Sequence, residues 1–230
     1  MDKLLRFNFE YRVEISYFIF FLALCTLMMP DSALLYRKAA EFMGTSPETG
    51  MKILFLIIAF VNIAAGILRS SACAHISSFV MMKKEVQTKK VIAAGPYAYV
   101  RNPIYLSDII AMTAVAFAGN IYSLAVLFFG KVISSFLFCL YEEYNLLKYL
   151  GDDYKDYYDR VPRFIPKFYP YHKAEVLDKP DYKDGILNSF YPFGIAVGFL
   201  AAAFTGTYMH IFIFGGISAA VWFYLYKTKK

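Results

Sequence analysis

The sequence predicts an all-α integral membrane protein, a multi-helix bundle of about six transmembrane helices with both termini cytoplasmic. Three observations predict it. Of the 230 residues, 59% are hydrophobic and only 18% charged, a balance that a soluble domain of this size cannot bury. The apolar residues fall in blocks approaching the 20 or so residues that span a bilayer, not in amphipathic stripes. The lysines and arginines gather in alternate connections, as the positive-inside bias requires.

The six blocks run Ile15 to Pro30, Ile53 to Cys73, Pro103 to Gly119, Ile121 to Tyr141, Phe190 to Thr205 and Tyr208 to Tyr226. The first is read as a retained membrane helix, because Met28-Met29-Pro30-Asp31 follows it where a cleaved leader would show small residues. Lys3, Arg6 and Arg12 precede it, and Arg69, Lys83, Lys84, Lys89, Lys90 and Arg101 flank the second connection. Glu142 to Ser189 carries eight more lysines and arginines, and the chain ends in Lys227, Lys229 and Lys230. The other side holds mainly Arg37, Lys38 and Lys52, with short hairpins at Gly119-Asn120 and Gly206-Thr207. The net charge of +6 thus follows from topology and attraction to anionic lipid, and does not call for nucleic acid.

Cys25, Cys73 and Cys139 all lie in apolar blocks without a CxxC pair, which predicts buried, unreactive thiols. His75, His172 and His210 show no ligand spacing, so no metal site is expected. Outside the spans, only residues 74 to 102 and 142 to 189 are long enough to build a site. Neither holds a GxGxxG turn or could supply a doubly wound sheet, so any cofactor must bind between these pieces and the helix ends. A single membrane domain over 1–230 is expected. Leu146, Leu147, Leu150, Tyr154, Tyr157 and Val161 recur near helical spacing, predicting an amphipathic helix that continues from the fourth span, breaks near Gly151 and stops at Pro162 and Pro166.

The chemistry concentrates in Gly95-Pro96-Tyr97-Ala98-Tyr99-Val100-Arg101-Asn102-Pro103-Ile104-Tyr105-Leu106. A Gly-Pro turn leads to a helix started at Pro103, placing backbone donors, an arginine and three tyrosines at one interfacial point. Physically this also describes a span entrance with an aromatic belt. The stretch closely resembles the G-P-Y-x-Y-V-R-[HN]-P-x-Y motif of the isoprenylcysteine carboxyl methyltransferase and phospholipid methyltransferase superfamily. The superfamily's second signature resembles Glu142-Glu143-Tyr144, Leu150-Gly151-Asp152-Asp153-Tyr154, Tyr157-Tyr158 and Val161-Pro162-Arg163-Phe164-Ile165-Pro166. The resemblance covers about residues 55–168, leaving the first span and the C-terminal hairpin, residues 189–226, outside it.

The resemblance implies an S-adenosyl-L-methionine-dependent methyltransferase acting on a lipophilic acceptor at the cytoplasmic membrane face. It implies donor-binding roles for Lys89, Lys90, Val91, Ile92, Tyr97, Asn102, Pro103, Ile104, Tyr105 and Glu142. Arg101 and Arg163 match arginines that orient the pocket or hold an anionic acceptor, and Glu143 is the base if the acceptor is an amine. Asn102 stands where prenylcysteine enzymes carry His, and Ser107-Asp108 replaces a common Gly-x; both bear on the acceptor. A prenylated cysteine carboxylate, a phospholipid amine, a quinone-like lipid or a small hydrophobic thiol or acid all fit. The bacterial character of the motifs favours a plasma membrane. The competing enzyme class is an NADPH-dependent sterol-type reductase, which shares the Arg-[His/Asn]-Pro-x-Tyr element. Lys131, in the middle of the fourth block, and Asp108, one turn into the third, are costly in a membrane and stand without an assigned role.

Overall fold

The computed structural model describes residues 2–29, 33–76, 90–171 and 179–228. Among them there are helices and turns and no strand. The chain divides into two compact units, each assembled from three stretches of sequence.

The first unit comprises residues Met1–Ile15, Leu68–Ser107 and Ile133–Ser189. It holds α1 (Asp2–Glu10), the start of α2 (Arg12–Cys25) and the end of α4 (Pro47–Ala74). It also takes the start of α5 (Pro103–Ala116) and the second half of α6 (Ile121–Leu150), followed by α7 (Asp152–Arg160) and α8 (Tyr182–Asn188). The expected amphipathic extension is present. α6 runs to Leu150, Gly151 takes a left-handed φ of 56°, and α7 carries on from it. Tyr154, Tyr157 and Val161 are buried together with Ala93 and Tyr171, and Leu146, Leu147 and Leu150 pack on them. The apolar stripe therefore folds back as a tyrosine-rich core. α7 ends at Arg160, with Val161 already extended before Pro162, as the ring's missing donor dictates. Asp181 caps α8 by accepting the Asp184 N–H at 3.0 Å, and the Asp181 N–H reaches the Ala74 carbonyl at 2.9 Å.

The second unit comprises residues Ser16–Ile67, Asp108–Val132 and Phe190–Lys230. It contains most of α2, α3 (Leu35–Met43), the first part of α4, the hairpin between α5 and α6, and α9 (Phe190–Thr205) with α10 (Met209–Thr228). Its core is aliphatic and aromatic: Phe55, Ile58, Ala59, Ala114, Phe199 and Ala202 are among its buried members. Phe55 meets both Phe199 and Tyr208 edge to face. The α5–α6 hairpin is fastened by Asn120, fully buried, which donates to the Thr26 carbonyl at 2.8 Å and accepts the Ser123 N–H at 2.8 Å. Lys131 is buried and donates to Ser16 at 3.1 Å, and Asp108 accepts the Tyr191 hydroxyl at 2.5 Å.

Among the described residues, each of the six apolar blocks is helical over most of its length. By length and apolarity α4 and α6 each suffice to cross a membrane. The number rises to four if the bent pairs Lys3–Glu10 with Arg12–Met28 and Tyr182–Asn188 with Phe190–Thr205 each count as one span. The sequence pattern did not disclose α1, α3 or α8, which are short, amphipathic or polar pieces outside the blocks. Cys73 and Cys139 are buried as expected, but Cys25 is exposed: it sits at the last residue of α2 on the face directed away from the protein. His172, Lys83, Lys84 and Lys89 lie outside the described residues.

Candidate active site

The site belongs to the first unit and begins with a turn. Gly95–Ala98 forms one 3-10 turn, with Gly95 at φ 59°. A side chain there would be strained by φ and would bring a Cβ within 2.3 Å of the His75 ring, so this position needs glycine twice over. His75 is oriented by Nδ1 against the Ser71 carbonyl at 2.8 Å, which places its ring directly under the turn. Tyr97 is buried, and its carbonyl accepts the Tyr157 hydroxyl at 2.8 Å. Burial pushes the Tyr97 hydroxyl well above its usual range, with Cys73, Tyr157 and Glu142 adding to the effect and Arg69 opposing it. The phenol is therefore neutral at physiological pH, a donor with an aromatic face.

The two motif segments, separated by a helical hairpin in sequence, are joined by backbone and side chain alike. The Arg101 N–H donates to Pro162 at 2.8 Å, the Lys167 N–H to Tyr99 at 3.1 Å, and the Tyr171 N–H to Ala98 at 2.9 Å. Glu143, 3% exposed, is the hub. Its Oε1 accepts Arg101 Nε at 3.0 Å and Asn102 Nδ2 at 3.1 Å. Its Oε2 accepts Arg163 Nη2 at 2.5 Å. Arg101 is fixed further by Nη1 on the Val161 carbonyl at 2.6 Å and on the Tyr158 carbonyl, with its guanidinium 4.1 Å above the Tyr158 ring. Arg163 lies 4.6 Å above the Phe136 ring, and its hydrogen bonds to Glu143 raise its already high pKa. Two cations and one carboxylate leave the cluster a net positive charge, and a buried carboxylate with this many partners is a rigid element.

Glu142, one residue earlier on α6, points to a different neighbour: it accepts the Tyr105 hydroxyl at 2.9 Å. Tyr105 is held in turn by the Phe138 ring, centroids 5.9 Å apart. Pro103 starts α5, with the Asn102 carbonyl accepting the Leu106 N–H at 3.0 Å, so Asn102, Pro103, Ile104 and Tyr105 form the helix's entry. The adjacent acidic residues thus divide their work, Glu143 to the two arginines and Asn102, Glu142 to the tyrosine.

Of the remaining residues singled out in the sequence, Lys90 is exposed and Val91 packs on the tyrosine-rich core, while Lys89 lies outside the described residues. A cleft of about 410 Å³ opens beside the turn, lined by Leu68 and Ser71 of α4, Gly95, Pro96 and Tyr99, and Leu106 of α5. Its volume is within the range of small-molecule sites and its lining is predominantly apolar. Residues that motif reading passed over also stand here. Phe9, buried, places its ring 5.1 Å from that of Tyr141, the neighbour of Glu142, and Arg12 lies 4.5 Å above Phe9. Arg12 precedes the first apolar block, and in the sequence it signals only membrane topology. Among the described residues no group of three or more His, Cys, Asp or Glu side chains is placed to hold a metal ion.

Residues 47–153 match the family model described as phospholipid methyltransferase. The match takes in α4, the Gly95–Ala98 turn, α5, α6 and the two acidic residues, and stops before Val161–Pro166. It supports a membrane methyltransferase and gives the reductase reading no support. No curated protein and no solved structure matches the chain.

Proposed function

We propose that this chain, whose residues 47–153 match the phospholipid methyltransferase family model, transfers a methyl group from S-adenosyl-L-methionine to a lipophilic acceptor at the cytoplasmic face of a membrane. The reading includes six spans in a single domain over 1–230 with both termini cytoplasmic, and a bacterial plasma membrane as its place. The observation that carries it is the meeting of the two motif segments on Glu142 and Glu143, which puts a tyrosine-bound carboxylate beside a rigid, net positive cluster.

The residues present fit the donor. The donor carries a sulfonium and an α-ammonium on an amphiphilic nucleoside; Tyr105 and the neutral Tyr97 offer aromatic faces to the first, and Glu142 offers a carboxylate to the second. When bound, the donor supplies an electrophilic methyl group for direct displacement. The protein's task is then alignment and exclusion of water, which a buried, cross-linked entry to α5 suits. Lys89, Lys90, Val91 and Ile92, together with Asn102, Pro103 and Ile104, complete the donor-binding set by family resemblance.

On the acceptor side, the choice lies between the carboxylate of a prenylated cysteine-like group and the amine of a phospholipid head group. A carboxylate attacks without losing a proton, and Arg163 with Arg101 supplies the charge to hold it. An amine must give up a proton as it gains the methyl group, and Glu143 is assigned to accept it.

Calorimetry on the detergent-purified full chain tests the reading. S-adenosylhomocysteine is expected to bind, and Glu142→Ala to weaken that binding at least tenfold. Binding of NADPH without any binding of S-adenosylhomocysteine would overturn it.

A further inference from the structure

We propose that Arg12 is a binding residue for the amino-acid end of the methyl donor, its guanidinium taking the α-carboxylate while Glu142 takes the α-ammonium. The inference rests on the methyltransferase reading above and extends it to a residue outside the matched segment, since Arg12 precedes residue 47.

Arg12 is built into place. Its Nη1 donates to the Phe9 carbonyl at 2.9 Å and its planar group lies over the Phe9 ring. Phe9 is 2% exposed and packs against Tyr141, so the arginine is anchored to the turn of α6 that presents Glu142. Its charge acts on both Glu142 and Tyr105, which places it in their electrostatic surroundings. A carboxylate and a guanidinium presented near the same turn of α6 complement a zwitterion: the first matches an ammonium, and the planar fork of the second matches a carboxylate through paired hydrogen bonds. The methyl donor ends in such a zwitterion. A carboxylate alone would serve a sulfonium equally well, so the arginine is what distinguishes recognition of the amino-acid end from simple attraction of a cation.

The test uses two nucleosides that differ in that end, with the purified full chain. S-adenosylhomocysteine carries the amino-acid tail, and 5′-methylthioadenosine has the same adenosine thioether without it. Arg12→Ala is expected to weaken the first at least tenfold and to change the second less than twofold, with Arg12→Lys, which keeps the charge without the fork, intermediate on the first alone. Unchanged S-adenosylhomocysteine binding in Arg12→Ala would overturn the proposal. So would an equal loss of both ligands, the mark of a structural role, or equal affinity of the unaltered protein for the two. If Arg12→Ala does not fold, Arg12→Lys decides by the same contrast. Failure of the unaltered protein to bind either nucleoside would instead sink the methyltransferase reading, and this inference with it.

Discussion

The two units solve the same problem, ordering helices of an apolar chain, in opposite ways. The first is tied by directed polar contacts: Glu143 alone joins α6 to Arg101, Asn102 and Arg163, and backbone bonds stitch residues 98–101 to 162–171. The second relies on close approach of surfaces. On α9, a Cβ at Gly194 would fall 1.6 Å from the Ser218 hydroxyl of α10, and one at Gly198 would fall 2.9 Å from the Ile211 backbone. Small residues allow such contact where apolar burial gives helices in lipid little reason to associate. The difference separates specificity from support. Directed contacts fix particular residue types at particular positions and so leave a motif; surface packing is met by many apolar sequences and leaves none.

If that division holds, the largest single effect belongs to Glu143. Glu143→Ala strands two guanidinium groups, and losing one partner of a buried network costs about 3–5 kcal/mol. Thermal and chemical unfolding in detergent should show a protein that is barely folded. A loss below about 1 kcal/mol would mean that packing, not charge, holds the first unit. The matching change in the second unit is Gly194→Ala, expected to destabilise by about 1–3 kcal/mol as α9 and α10 are forced apart. Its S-adenosylhomocysteine affinity should stay within twofold of the unaltered protein. A loss of affinity as large as that in Glu142→Ala would break the separation of the two units' tasks.

The same contrast explains what could be read beforehand. The apolar blocks were legible as helices because uninterrupted apolar runs leave the backbone few other forms, although only two to four spans are long and apolar enough to cross a membrane; the Gly151 break was legible because a stripe at helical spacing resumed after a glycine. The pairing of Glu142 with Tyr105 and of Glu143 with Arg101 and Arg163 was not. The motif names all these residues, but which carboxylate faces which partner depends on a 100° turn between adjacent positions of α6 and on where residues 161–163 return. Arg12 was hidden for another reason: ahead of an apolar block, an arginine reads as a topology signal. Only the contact of Phe9 with Tyr141 brings it to Glu142's surroundings. α1, α3 and α8 escaped because short amphipathic or polar helices owe their form to tertiary packing more than to their own periodicity.

Smaller changes refine which polar contacts of the first unit matter. Tyr105→Phe keeps the ring beside Phe138 and removes only the hydroxyl that Glu142 accepts at 2.9 Å. A hydrogen bond to a charged group contributes about 1.5–3 kcal/mol to stability, so the unfolding temperature should fall by a few degrees, and S-adenosylhomocysteine should bind more weakly as well because Glu142 is no longer oriented. A fall in stability with unchanged affinity would make the pair structural. At the bottom of the scale stands Lys155, paired with Asp159 one turn along α7 with both side chains about half exposed. Water already solvates both groups, and holding two long side chains in one geometry costs entropy, so such a pair contributes about 0.3–0.5 kcal/mol. Lys155→Ala should therefore leave both unfolding and ligand binding within error of the unaltered protein, and 0.5 M salt should erase what difference there is. A larger loss at Lys155 would show that exposed charge along α7, and not the desolvated hub at Glu143, orders this end of the chain.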